Sequence, residues 1–347
     1  MKQKAIFAAL LLCMAVMLLA MPALAQHQRV GAIAGAELLI PVGARDLALG
    51  GASLATTQGV EAMYWNTAGL GHMQGGAEAM FSSMTYIADI NVVYGAVAGR
   101  FGSFGNIGFT VKSLSFGDIP LKTEDDPENI SRRFYSPTFV TITAAYARPL
   151  TDAITVGFGM KLISEQIARV SSSGFAFDFG VQYDGVVGVK GLNLGLAVKN
   201  IGPLMKFEGP GLYRRATPTE GSRPSEYYLL ETAGYELPAL VEIGLSYDYA
   251  LADNFVAQVS GSFSNNNLYY DSYNGGLELS YTVDDLKLYG RGGYSSVPQN
   301  QDNEIFGATM GGGIAYNLGG VNMVLDYGYR STKYFDANQV FSLKFEF

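Results

Sequence analysis

The hydrophobic and polar positions of the chain alternate most plainly in the hairpin from Ala239 to Phe263. Val241, Ile243, Leu245, Tyr247 and Tyr249 interleave with Glu242, Gly244, Ser246 and Asp248; side chains two apart on a strand share a face. After the tight turn predicted at Leu251-Ala252-Asp253, Phe255, Ala257, Val259 and Phe263 interleave with Gln258, Ser260 and Ser262. One face is apolar and edged by aromatics, the other small and polar. That is how a strand reads when lipid lies on one side and a polar interior on the other.

The same period of two runs to the last residue. It predicts strands over 77–87, 90–100, 105–114, 138–148, 153–163, 173–183, 191–200, 239–250, 254–264, 272–282, 286–296, 305–317, 321–330 and 338–347. Their lengths cluster near the roughly 9 to 11 residues a tilted strand needs to cross a bilayer. The links between them alternate in length. Short ones such as Phe101 to Phe104 and Leu318 to Gly320 follow even-numbered strands; after odd-numbered strands come 115–137, 164–172, 201–238, 265–271, 297–304 and 331–337, with Ala88-Asp89 as the short exception. Short turns on one rim and long loops on the other mark an outer-membrane barrel, short side toward the periplasm. The last strand sets Phe341, Leu343, Phe345 and the terminal Phe347 on one face. The expected fold is all-β, a 14-stranded antiparallel transmembrane β-barrel with an N-terminal plug segment.

The plug is predicted where alternation fails. Residues 26–76 are rich in Gly and Ala, with a helix-compatible piece from Val60 to Trp65 and Gly69 as its expected C-cap. Residues 1–25 carry Lys2 and Lys4, an apolar stretch and Ala23-Leu24-Ala25, which reads as a cleaved signal peptide. The expected organisation is thus signal peptide 1–25, plug or hatch 26–76 and outer-membrane barrel 77–347.

Composition narrows the chemistry. The chain is 48% hydrophobic but only 16% charged, with a net charge of −8 and a pI near 4.9, so no basic stripe exists for nucleic acid. The single cysteine, Cys13, lies in the signal peptide and the two histidines are His27 and His72. Disulfides, thiolate metal sites and acid–base catalysis are not expected, nor any cofactor; the chain is read as a non-enzyme. Asp125-Asp126 and Asp284-Asp285 read as solvated loop pairs, and Gly311-Gly312-Gly313 as close-packed wall.

With the apolar face outward, the inward face carries the candidate lumen charges Lys161, Asp178, Lys199, Glu242, Glu278, Arg291, Asp326 and Arg330, joined by Lys112, Asp248, Lys287, Lys344 and Glu346. Signs nearly balance, which predicts internal ion pairs rather than a selectivity ring. The longest loop, 201–238, holds Arg214-Arg215, Arg223-Pro224 and Tyr227-Tyr228-Leu229-Leu230. Either it docks a partner or it caps the barrel mouth.

Two stretches resemble the N-terminal fingerprint of the PorV/PorQ family, relatives of the FadL-type fatty acid channels. They are Gly43-Ala44-Arg45-Asp46-Leu47-Ala48-Leu49-Gly50-Gly51-Ala52 and Tyr64-Trp65-Asn66-Thr67-Ala68-Gly69-Leu70, and the likeness continues in Ala145 to Asp152 and in Val198-Lys199-Asn200-Ile201-Gly202-Pro203. The chain departs from that pattern at Thr67 and at Gln58-Gly59. The resemblance implies a plug motif of Gly43, Arg45, Asp46, Gly50, Gly51, Trp65, Asn66 and Gly69. It also implies a part in type IX protein secretion, with secreted proteins or sortase-complex subunits as partners beside outer-membrane lipid. The alternative is a FadL-like channel in which an apolar ligand, such as a long-chain fatty acid, enters the lumen and leaves through the wall or past the plug.

Overall fold

The computed structural model describes residues 33–347 other than 124 and 218–223, without the side chains of 301–303. The stretch 1–25 expected to be a signal peptide, with Cys13, and also His27 and Arg223 lie outside the described residues. Fourteen long strands form the wall: β1 (Ala77–Thr85), β2 (Asn91–Arg100), β3 (Asn106–Ser115), β4 (Thr138–Pro149), β5 (Ile154–Ile167), β6 (Val170–Asp184), β7 (Leu192–Ile201), β8 (Leu240–Ala252), β9 (Phe255–Asn266), β10 (Ser272–Val283), β11 (Leu286–Ser296), β12 (Phe306–Asn317), β13 (Asn322–Thr332) and β14 (Asn338–Glu346). Each pairs antiparallel with its chain neighbours, and β1 pairs with β14 from Glu78↔Glu346 to Thr85↔Gln339, which closes the barrel.

Alternation decides which way each residue faces. Phe81, Val97, Phe109, Leu162, Val241, Met310 and Phe341 are exposed on the outside, while Met80, Ser82, Thr110, Lys161 and Ser342 are buried within. An outward band this apolar is stable against lipid and not against water. Phe101, Phe104, Tyr249, Tyr316 and Phe347 stand exposed toward the short-turn rim, where amphipathic rings suit a bilayer boundary.

Three expectations change. The loop foreseen at 164–172 is a two-residue turn at Ala168-Arg169, because β5 and β6 run on and keep pairing to Ile167↔Val170. The turn of the Ala239–Phe263 hairpin shifts to Asp253-Asn254, with a bulge between Ala250 and Ala252. Gly69 does not cap a helix: the helix stops at Trp65 and Gly69 lies inside a 3-10 turn, Thr67–His72, where a Cβ would sit 2.1 Å from the Thr57 carbonyl oxygen.

Before β1 the described chain makes short turns only: 3-10 turns at Ala36–Leu39 and Gly59–Glu61, and helices α1 (Ala44–Ala48) and α2 (Ala62–Trp65). This segment lies inside the barrel, and the wall is cut back to receive it. A Cβ on Gly157 (β5) would lie 2.3 Å from the Thr67 carbonyl carbon, on Gly180 (β6) 2.2 Å from Asn66 Oδ1, and on Gly195 (β7) 2.4 Å from Leu54 O. Across the barrel, a Cβ on Gly293 (β11) would meet Leu49 at 2.3 Å and one on Gly328 (β13) would meet Ala44 O at 2.8 Å. Glycine on the inward face thus lets plug main chain touch wall main chain around much of the circumference. Part of the chain's 43 glycines is explained by this belt.

Candidate functional site

The plug separates a charged cavity toward the short turns from a more apolar one toward the long loops. Its fixed points come from the fingerprint residues. Gly43 (φ 82), Gly50 (φ 67) and Gly51 (φ 80) supply backbone that other residues rarely adopt, turning the chain into and out of α1. Trp65 Nε1 donates to Val42 O at 3.0 Å, and Asn66 Nδ2 donates to Leu54 O at 2.9 Å and to Val181 O of β6 at 3.2 Å, while Asn66 Oδ1 accepts from Ala68 N.

Ion pairs join plug to wall. Arg45 Nε lies 3.1 Å from Glu278 Oε2 and its Nη1 lies 3.2 Å from Asp46 Oδ1; Arg291 reaches the same Glu278 oxygen at 2.6 Å and Asp326 Oδ1 at 2.5 Å. Lys161 pairs with Asp178 and Lys199 with Glu242, both at 2.6 Å. Arg330 differs: its guanidinium donates twice to Asn338 Oδ1 and stacks 3.7 Å over the Phe306 ring. The eight candidate lumen charges therefore all turn inward, seven of them in ion pairs with opposite charge. Four further acids belong to the interior: Glu37, Glu61, Glu78 and Glu165. Glu78 shares register with Met80 and Ser82, so strand parity could have found it. Burial pushes the Glu61 carboxyl up to about 7 against the pull of Lys344, 3.7 Å away. Burial, reinforced by the facing Glu165, lifts Glu37 to about 8.

Toward the short turns, a cavity of about 650 Å³ is lined by Arg45, Glu61, Asp248, Glu278, Lys287 and Asp326. An apolar solute gains nothing by entering it. Toward the long loops, a cavity of about 230 Å³ has Pro41, Leu47 and Trp65 of the plug as its floor and Tyr269, Tyr270 and Phe306 in its walls. Asn274 borders this mouth cavity and also a notch of about 360 Å³ in the wall. In the notch the cross-strand pair Gly261↔Gly275 carries no side chains, and Ile243, Leu245, Phe263 and Tyr294 surround it. The smaller mouth cavity is the better ligand site, because its apolar floor with a few polar groups beside it, Glu242, Asn266, Asn274 and Arg330 among them, is how ligand pockets bury and orient apolar molecules.

The loop 202–239 splits in two. Its stem turns inward: Met205 and Leu237 are buried in an apolar cluster with Ala34, Leu38 and Ile163. Its tip is a hairpin, Tyr213–Ala216 paired with Glu226–Leu229, on which Arg214, Arg215, Tyr227, Tyr228 and Leu229, with Leu230 just beyond, are exposed. Cap and protruding surface are both present in one loop.

No protein-family profile matches the chain, and no curated protein sequence matches it. Among solved structures the chain is similar to the CymD monoaromatic hydrocarbon channel, with a TM-score of 0.58 and 13% identity over 88% of this chain and 97% of that one. It is also similar to the toluene transporter TodX of Pseudomonas putida, with a TM-score of 0.54 and 11% identity over 93% and 99% of the two chains. At these identities the likeness is one of fold.

Proposed function

We propose that the chain is an outer-membrane channel that admits small apolar molecules from the long-loop side. The mouth cavity carries this proposal: it is a recess open toward the long loops whose floor is apolar, with Leu39, Pro41, Leu47 and Trp65, and whose sides add Tyr269, Tyr270 and Phe306 to the polar Glu242, Asn266, Asn274 and Arg330. Movement onward through the plug is opposed by the glycine belt, and the cavity beyond it is charged. The remaining way out is sideways at Asn274 toward the wall notch and into lipid, and it requires the β9–β10 ladder, paired there from Ser260↔Gly276 to Ser264↔Ser272, to part. Support also comes from the fold shared with a monoaromatic hydrocarbon channel and a toluene transporter.

The test uses the single tryptophan. Toluene and a long-chain fatty acid are titrated against the purified chain while Trp65 emission is followed, and uptake of the labelled solutes is measured in cells with and without the protein. Saturable emission change with protein-dependent uptake, both reduced about tenfold or more by Leu47→Asp, is the expected result. Uptake equal in the two cell lines would end the channel proposal.

Secretion, the role implied by the PorV/PorQ resemblance, is the second proposal, favoured by one feature. The hairpin tip exposes Tyr227 at 73% and Leu229 at 60%, apolar surface suited to a protein partner.

A further inference from the structure

Where the plug begins, a knot of buried oxygens stands outside the ion-pair system. Glu37, on the turn Ala36–Leu39, is 2% exposed and Glu165, on β5, is 4% exposed. The two carboxyls face each other, and Glu165 Oε1 accepts from Gly35 N at 3.0 Å. Among the described residues no donor of a third residue reaches either oxygen of Glu37 or Glu165 Oε2, and the two carboxyls lie within hydrogen-bonding reach of each other. Ser172 of β6 is the independent observation. It sits directly across the ladder from Glu165, is 3% exposed, and its Oγ also lacks a partner. Residues opposite each other on paired strands hold their Cβ atoms roughly 4.5 to 5.5 Å apart, so the hydroxyl and the carboxylate project side by side from the inward face.

The nearest cation does not fill it. Lys112 Nζ donates to the main-chain carbonyls of Glu37 and Ile40, both at 2.6 Å. The surroundings are dry: Leu38, Ile163, Ala176, Met205 and Leu237 form one apolar cluster in this corner. Two facing carboxylates and a hydroxyl, buried with Gly35 N as the one main-chain donor reaching them, are costly as they stand. All the free atoms are hard oxygens, and none is nitrogen or sulfur. Carboxylate and hydroxyl oxygens at flexible spacing suit calcium better than magnesium, which demands a rigid octahedron and gives up its waters reluctantly.

We propose that Glu37, Glu165 and Ser172 bind a divalent cation, calcium above all, which ties the start of the plug to β5 and β6. Loss of the ion frees the turn Ala36–Leu39 beneath the loop stem while the belt-held part of the plug stays seated.

The full chain, purified in detergent and stripped with EGTA, is titrated with CaCl2 by calorimetry and its thermal midpoint is followed by gel mobility. One saturable calcium per chain is expected, with a higher midpoint in calcium. Glu165→Gln should weaken binding at least tenfold and Ser172→Ala several-fold, whereas Asp285→Asn at the rim should change neither. Each variant is first checked for the heat-modifiable mobility of a folded barrel; Glu37→Gln replaces any that fails. Absence of saturable binding by the wild-type chain, or unchanged binding by the variants, overturns the site. A midpoint that responds to alkaline pH and not to calcium also overturns it, since the carboxyls then share a proton instead.

Discussion

Arg45 Nε sits 3.1 Å from Glu278 Oε2, so a cation borne on the plug helix α1 is bound to a carboxylate of the wall that Arg291 also holds. Removing one partner of a buried pair leaves the other charged and unsatisfied. Arg45→Ala is expected to cost about 3 to 5 kcal/mol, seen as a lower urea midpoint for loss of the compact gel band. A midpoint equal to that of the parent would show that Arg291 alone satisfies Glu278.

The glycine belt is position-specific. Gly195→Val and Gly293→Val place side chains into Leu54 and Leu49 of the plug, whereas Gly290→Val points into open space. Trp65 emission should shift to the red and protease should cut within 44–70 for the first two, with the third behaving as the parent. If all three variants protect the plug equally, the main-chain contact is not what seats it.

The buried Glu61 carboxyl makes stability fall as pH rises. Its pKa is raised from 4.5 to about 7 by burial; in the unfolded chain it has already lost its proton above the lower value. Its stabilising contribution is complete below about 4.5 and lost as pH climbs through about 7, on the order of 3 kcal/mol in all. Unfolding midpoints measured from pH 4.5 to 8 should decline in the parent and decline less in Glu61→Gln. Parallel curves would remove Glu61 as the cause.

Deleting 213–229 takes away the exposed hairpin and leaves Met205 and Leu237 in the mouth. The shortened barrel should remain heat-modifiable and keep its solute uptake. In a host with type IX secretion, export lost on this deletion would move the secretion proposal ahead of the channel, and export retained would eliminate the hairpin from it.

Strand parity made the wall legible because lipid and lumen impose opposite solvents on alternate residues, so the faces of β8 from Val241 to Tyr249 and of β9 from Phe255 to Phe263 could be read residue by residue, though not the bulged turn between them. It failed at Glu165 and Ser172, where polar residues outnumber apolar ones and the outward face has risen above the apolar band; a strand there looks like a loop. The ion pairs were legible as a balance of inward charges but not as partners, since Arg291 and Asp326 lie 35 residues apart in sequence. The plug was readable only as an interruption. Its turns are too short to show a period, and Glu37 and Glu61 reveal their burial only once a wall surrounds them.

The belt also bears on biogenesis. A cylinder whose inner surface touches Thr67, Leu54, Leu49 and Ala44 main chain has no clearance through which that segment could be threaded after the seam between β1 and β14 has sealed. The N-terminal residues must already be in place as the hoop draws shut, acting as the mandrel on which it is wound, and a chain lacking them would be expected to stall during insertion rather than yield an open pore.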